Sequence, residues 1–207
     1  MAYQYIIFDF DGTIVDSVSV QNEILKELAM KHHFNNMDVK AFRRRDSLTF
    51  RKKAQMLSFV IQIQAEYKSL YNELLFKVKP FEGLLSLLSS LQASGYDLAI
   101  ISSNAAENIA KFLHLNDAAL DIPIISSKGL SGKHKALTEF TRRYHCHSSD
   151  ILYIGDEIRD IKACNKSKVD IAFVRWGLDA DKDLTSYNIK FVASSVLELR
   201  QFLIPEP

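Results

Sequence analysis

Short apolar runs alternate with helix-period segments along most of this chain, and that alternation limits its fold more than any other feature. Tyr5-Ile6-Ile7-Phe8 opens the series. Further strands are read at 96–101, 122–125, 151–154, 170–174 and 190–193, and helices at 84–91, 105–113, 133–144, 158–166 and 196–203. Strands that are apolar at nearly every position are buried on both faces. Strands separated by helices pair in parallel, with the helices covering the sheet. The predicted fold is therefore α/β, a Rossmann-like parallel sheet with helices on both faces. Ligands of such sheets bind beyond the C-terminal strand ends.

Residues 16–79 break the pattern. Helices are read at 17–33, 48–64 and 66–78, with Ile24, Leu25 and Leu28 at helical spacing, and no strand is read there. This segment holds 12 Lys+Arg and 7 Asp+Glu, a formal +5, against −4 for the remainder. Pro80 and Gly83 mark the return to alternation. The expected organisation is a discontinuous core, 1–15 and 80–207, with an inserted all-helical segment, 16–79.

The bulk numbers exclude several classes. A net charge of +1 over 207 residues creates no global field for nucleic acid or membrane. No apolar stretch approaches 18 residues, so no membrane span is expected. The two cysteines, Cys146 and Cys164, form no metal-type pattern and suggest reduced thiols. The first strand signal begins almost at Met1, which leaves no room for a secretory leader. A cytoplasmic protein is expected, with no nucleic-acid or membrane partner. Oligomeric state is not legible.

Four clusters carry the chemistry. Asp9-Phe10-Asp11-Gly12-Thr13 follows the first strand. Two carboxylates one residue apart repel unless a cation or a shared proton compensates them. One can then attack an electrophile while the other handles a proton; the plain alternative is a polar turn. Ser102-Ser103-Asn104 ends the strand at 96–101. Asn104 with Glu107 has capping-box spacing, and a hydroxyl at a helix start suits a phosphate as well as a cap. Lys133 opens a helix, where a cation opposes the dipole unless an anion is near; Lys135 is its rival. Asp156 and Asp160 lie four apart at the start of the helix after strand 151–154. With the acids at 9 and 11 they suit a hard, oxygen-liganded cation, Mg²⁺.

Phe8-Asp9-Phe10-Asp11-Gly12-Thr13, Ile101-Ser102, Lys133 and Gly155-Asp156 with Asp160 together resemble the four ordered motifs of the haloacid dehalogenase-like hydrolase superfamily. Pro80-Phe81-Glu82-Gly83, Ile154 to Ala163 and Trp176-Gly177 are similar to its phosphoglycolate-phosphatase-like branch. The resemblance implies a role for each position. Asp9 matches the nucleophile and Asp11 the general acid and base. Ser102, which directly follows the apolar run, matches the phosphoryl-binding hydroxyl, with Ser103 a further candidate contact. Lys133 matches the charge-neutralising lysine. Asp9, the Asp11 backbone carbonyl and Asp156 match the Mg²⁺ site, with Asp160 assisting directly or through water, and segment 16–79 matches the helical cap. Ser167-Lys168 departs from the Ala-Gly usual before the next strand, a difference at a helix end.

The implied activity is a Mg²⁺-dependent phosphatase acting on a small phosphorylated metabolite through an aspartyl-phosphate. The alternatives are a phosphomutase using the same core residues and a non-catalytic phosphate-binding regulatory module. The excess positive charge of 16–79 points to Arg44 or Arg45, in the run Arg43–Arg45, as the group that holds the substrate's remote end.

Overall fold

The computed structural model describes residues 3–34, 50–118, 120–127 and 132–205. The chain divides into two compact units, Met1–Asp16 with Lys79–Pro207, and Ser17–Val78.

The first unit is built on a six-stranded parallel sheet. Its strands are β1 (Tyr5–Phe8), β4 (Asp97–Ser102), β5 (Ile124–Ser126), β6 (Ile151–Gly155), β7 (Asp170–Val174) and β8 (Phe191–Ala193), in the spatial order β5-β4-β1-β6-β7-β8. Every adjacent pair is parallel, with Ile7 of β1 opposite Ala99 on one side and Tyr153 on the other. The chain fills one side of β1 with β4 and β5, then returns to fill the other side with β6 to β8. The reversal lies at β1, so the crevice expected to take ligand opens at the C-terminal ends of β1, β4 and β6.

The central strands are buried on both faces, as a covered parallel sheet requires. Ile6, Ile7, Phe8, Ile100, Ile101 and all five residues of β6 are inaccessible or nearly so. Four helices lead from strand to strand, α3 (Leu84–Ala93), α4 (Ala106–Leu115), α5 (Gly132–Tyr144) and α6 (Ile158–Ser167), and α7 (Val196–Leu203) follows β8. Leu137 and Phe140 of α5 and Ile161 and Cys164 of α6 join Ile7, Ile101, Tyr153 and Phe173 in one apolar cluster. Spacings of three residues put each helical pair on one face.

Helix α6 ends where the sequence departs from the usual glycine. Lys168 takes the left-handed conformation, φ 57°, and Val169 N donates back to Cys164 O at 3.0 Å. A lysine there carries a backbone cost of about 1 kcal/mol that glycine would avoid.

One small element escapes the sequence reading. Val15–Asp16 (β2) and Lys79–Pro80 (β3) form an antiparallel two-residue ribbon, Asp16 opposite Lys79. Both strands are too short to show a period, and they pair only because the fold returns the chain to this point.

The second unit contains α1 (Val18–Lys31) and α2 (Phe50–Glu73), which pack together, followed by a 3₁₀ turn, Leu75–Lys77. Ile24, Leu25 and Leu28 of α1 are buried, as are Phe59, Ile63 and Tyr71 of α2. Two helices, 48–64 and 66–78, are expected where one runs through. No glycine or proline lies between 50 and 73, and Ala65-Glu66 at the expected break are good helix formers. The C-terminal end of α1 is tied to α2 by polar contacts. Lys31 Nζ and His32 Nε2 meet the two oxygens of Glu66 at 2.6 and 2.8 Å, and Phe34 stacks on Phe59 with ring centroids 4.6 Å apart. Among the described residues, no helix is long and apolar enough to cross a membrane.

Candidate active site

The loop after β1 is a tight coil. The Phe10 carbonyl accepts from the amides of Thr13, Ile14 and Val15, and Gly12 N donates to Val15 O at 2.9 Å. Phe10 itself is fully buried, edge-on to Phe112. It anchors the loop between two acids, the buried Asp9 and the half-buried Asp11. Gly12 has φ 79°, and a Cβ there would collide with the Asp156 carboxylate. Both demands select glycine.

Asp9, Asp156 and Asp160 converge. One carboxylate oxygen from each lies within 4.8 Å of the others, and all three side chains are buried. Asp9 continues β1, with its amide donating to Ile154 O of β6 at 2.8 Å. Asp156 follows β6. Its Oδ1 accepts from the Thr13 hydroxyl at 2.9 Å and its Oδ2 from Leu178 N at 2.7 Å. The loop carrying Leu178 is held in turn: Trp176 Nε1 donates to Thr13 O at 3.1 Å, and Asp179 Oδ2 accepts from Ile158 N at 2.9 Å. Gly177 leaves no room for a side chain against Asp156. Asp160 sits in the first turn of α6, where its Oδ2 accepts from Glu157 N at 3.2 Å in a reciprocal cap.

Lys133, in the first turn of α5, is 6% exposed and ion-pairs with both Asp9 and Asp160. These acids are the anions that the dipole argument requires. Lys135, the rival position, is exposed. Burial alone would lower the Lys133 ammonium, but Asp160 and Asp9 more than offset it and hold it above the ordinary lysine range. One ammonium does not balance the cluster. Burial, then the charges of Glu157, Asp9 and Asp160, push Asp156 well above the usual carboxylate range. Burial raises Asp160 to about 6 even though Lys133 pulls it down. Three buried carboxylate donors with a charge deficit fit a hard divalent cation. The Asp11 carboxylate is not part of this trio.

Ser102 ends β4, fully buried, and its Oγ accepts from Asn104 N at 3.3 Å. Ser103 is exposed, 3.4 Å from Arg159 Nη2. Arg44 and Arg45 lie outside the described residues. The expected Asn104–Glu107 capping box does not form. Ala105 is the N-cap of α4, and Asn104 stands one residue outside, with its Nδ2 donating to Asp11 Oδ2 at 2.8 Å. That contact spans 93 residues, so no local pattern reveals it. The supports of Asp156 were equally hidden, although Thr13 and Trp176-Gly177 stood in motifs already singled out.

Residues 6–174 match the haloacid dehalogenase-like hydrolase family. The phosphoglycolate phosphatase of Synechococcus elongatus is 27% identical over 192 residues, covering 88% of this chain and 89% of that protein. A haloacid dehalogenase-like family hydrolase from Streptococcus pneumoniae superposes with a TM-score of 0.76 at 18% identity, over 97% of this chain and 98% of the other. A predicted phosphatase from Clostridium acetobutylicum does so with a TM-score of 0.77 at 21% identity, over 98% and 99%. At these identities the two structures establish a shared fold.

Proposed function

The chain belongs to the haloacid dehalogenase-like hydrolase family, and from that premise we propose that it is a Mg²⁺-dependent phosphatase of a small phosphorylated metabolite. The observation that carries the reading is the buried meeting of Asp9, Asp156, Asp160 and Lys133 at the C-terminal ends of β1 and β6.

The Asp9 carboxylate attacks phosphorus in line with the leaving oxygen. The P–O bond to the leaving group breaks as the Asp9–phosphorus bond forms, and Asp11 gives its proton to the departing oxygen. Asp11, now ionised, takes a proton from water, which attacks phosphorus and releases Asp9 and phosphate. Lys133 stabilises charge on the phosphoryl oxygens, and the Ser102 hydroxyl donates to one of them. Asp9, Asp156 and Asp160, with the Asp11 carbonyl, would hold Mg²⁺, which supplies further charge compensation when bound. The inserted helical unit acts as a cap that governs access.

The experiment is a phosphate-release screen of purified protein with Mg²⁺ over a panel of small phosphorylated metabolites. 2-Phosphoglycolate is the first compound to test, since one relative is named for it. Release of phosphate from a panel member supports the reading. Isomer formation without release would replace it with a phosphomutase, and no turnover at all would overturn it.

A further inference from the structure

We infer that Asn104 is a positioning residue, whose side-chain amide holds the Asp11 carboxylate in the orientation that proton transfer to the leaving oxygen requires. The inference rests on the reading of Asp11 as general acid. Asn104 Nδ2 donates to Asp11 Oδ2 at 2.8 Å. A single amide contact of this kind is ambiguous, because an amide can be turned over to exchange its oxygen and nitrogen. Here the neighbours decide. Asn104 Oδ1 accepts from the Ala105 backbone amide at 2.7 Å, and from Asn108 Nδ2 at 3.1 Å. A backbone N–H can only donate, so the oxygen must face Ala105 and the NH₂ group must face Asp11.

The backbone of Asn104 is tied down as well. Its N–H donates to Ser102 Oγ at 3.3 Å, and its carbonyl accepts from Ser126 Oγ at 2.9 Å. Asn108, which steadies the amide oxygen, is itself 3% exposed. Residue 104 is thus joined to the ends of β4 and β5 and to the start of α4. Asp11, in contrast, stands on the loop after β1 and is half-buried. Asn104 connects that loop to the strand whose last residue, Ser102, is the proposed phosphoryl contact.

A neutral amide suits this task. It orients the carboxylate without cancelling its charge, as a lysine or arginine would. It engages Oδ2 as an acceptor. Misplacing a general acid by about 1 Å is enough to lose roughly a hundredfold in rate.

The test compares kcat/KM of Asn104→Ala on two substrates: p-nitrophenyl phosphate, whose phenolate leaves without a proton, and the best alkyl phosphate of the panel, whose alkoxide needs one. kcat/KM covers the steps through departure of the leaving group, so hydrolysis of the aspartyl-phosphate does not enter it. The expected result is a loss of about tenfold or more on the alkyl phosphate, with less than about threefold on the aryl one. In an Asp11→Asn background the same change should add nothing, because its only route of action has been removed. Asn104→Ser keeps an oxygen near Ala105 N but lacks the amide donor, and replaces the alanine variant if melting shows that variant unfolded. An equal loss on both substrates, or a loss that persists in the Asp11→Asn background, would reduce Asn104 to a structural role. Absence of leaving-group bias in Asp11→Asn alone would bring down the acid assignment itself, and the inference with it.

Discussion

The two units of this protein treat charge in opposite ways. Among the described residues, the lysine–glutamate pairs of the helical unit lie open to solvent: Lys31–Glu66 has side chains 63% and 34% exposed, and Lys77–Glu23 41% and 51%. Such pairs exchange one solvated state for another and contribute little. In the α/β unit, three carboxylates and one ammonium are withdrawn from water at the ends of β1 and β6. Withdrawal of that kind costs several kcal/mol per ion before pairing repays it. A fold under selection for stability alone would place apolar side chains there. The contrast teaches that residue type says little and burial says much. The acids that cost stability are the ones to assign to chemistry.

The sharpest way to break the comparison is at Asp9. Asp9→Asn should lower turnover by roughly a thousandfold or more, while leaving a cooperative melt, because only a carboxylate can form the acyl phosphate. A folded variant with near-normal phosphate release would sink the proposed mechanism.

The next test weighs the cost of the cluster. Folding raises Asp160 to about 6 from its ordinary 3.8, and Asp156 moves in the same direction. A carboxyl with a raised pKa binds its proton more tightly in the folded state. Its stabilisation is complete below the unfolded value and disappears as pH rises through the folded one. The metal-free protein should therefore lose stability between pH about 4 and 6. Mg²⁺ should restore it above that window, by about 3 kcal/mol at a hundredfold excess over its Kd. Without metal, Asp156→Asn should melt higher than the parent, increasingly so as pH rises above the ordinary carboxylate range, and it should lose the Mg²⁺-induced rise. Thr13 and Leu178 N can both still be satisfied by an amide there. Calorimetry with and without Mg²⁺ reads both effects, and an unchanged Mg²⁺ response in Asp156→Asn would remove that residue from the metal site.

The smallest effect belongs to the helical unit. Glu66→Gln breaks the pairs with Lys31 and His32, yet should move the melting temperature by only a few degrees. A shift as large as the one at Asp156 would mean that the two units do not differ as argued.

Much of this was legible along the chain. Strand 170–174 and helix 196–203 have the limits that the pattern predicts, and β1 and β6 differ by at most one residue. Buried parallel strands are continuous apolar runs, and Asp9 and Asp156 stand out because each interrupts such a run at its C-terminal end. The misread places differ in cause. The 50–73 helix was divided where nothing breaks it. The Val15–Asp16 and Lys79–Pro80 ribbon has no period to detect. Asn104 looked like a cap because its true partner is 93 residues away.

The sequence by itself determined the order of the sheet strands and the helices between them, and the positions of Asp9, Asp11, Lys133, Asp156 and Asp160 at strand ends or in first helical turns. Those properties are local, set by side-chain period and by where an apolar run stops. Only the tertiary structure decided that Lys133 rather than Lys135 is buried against the acids, that Thr13 and Leu178 hold Asp156, and that Asn104 reaches Asp11. Such contacts join loops from different strands. They depend on the reversal of strand order at β1, which brings the ends of β1, β4 and β6 side by side, and no span of neighbouring residues records that.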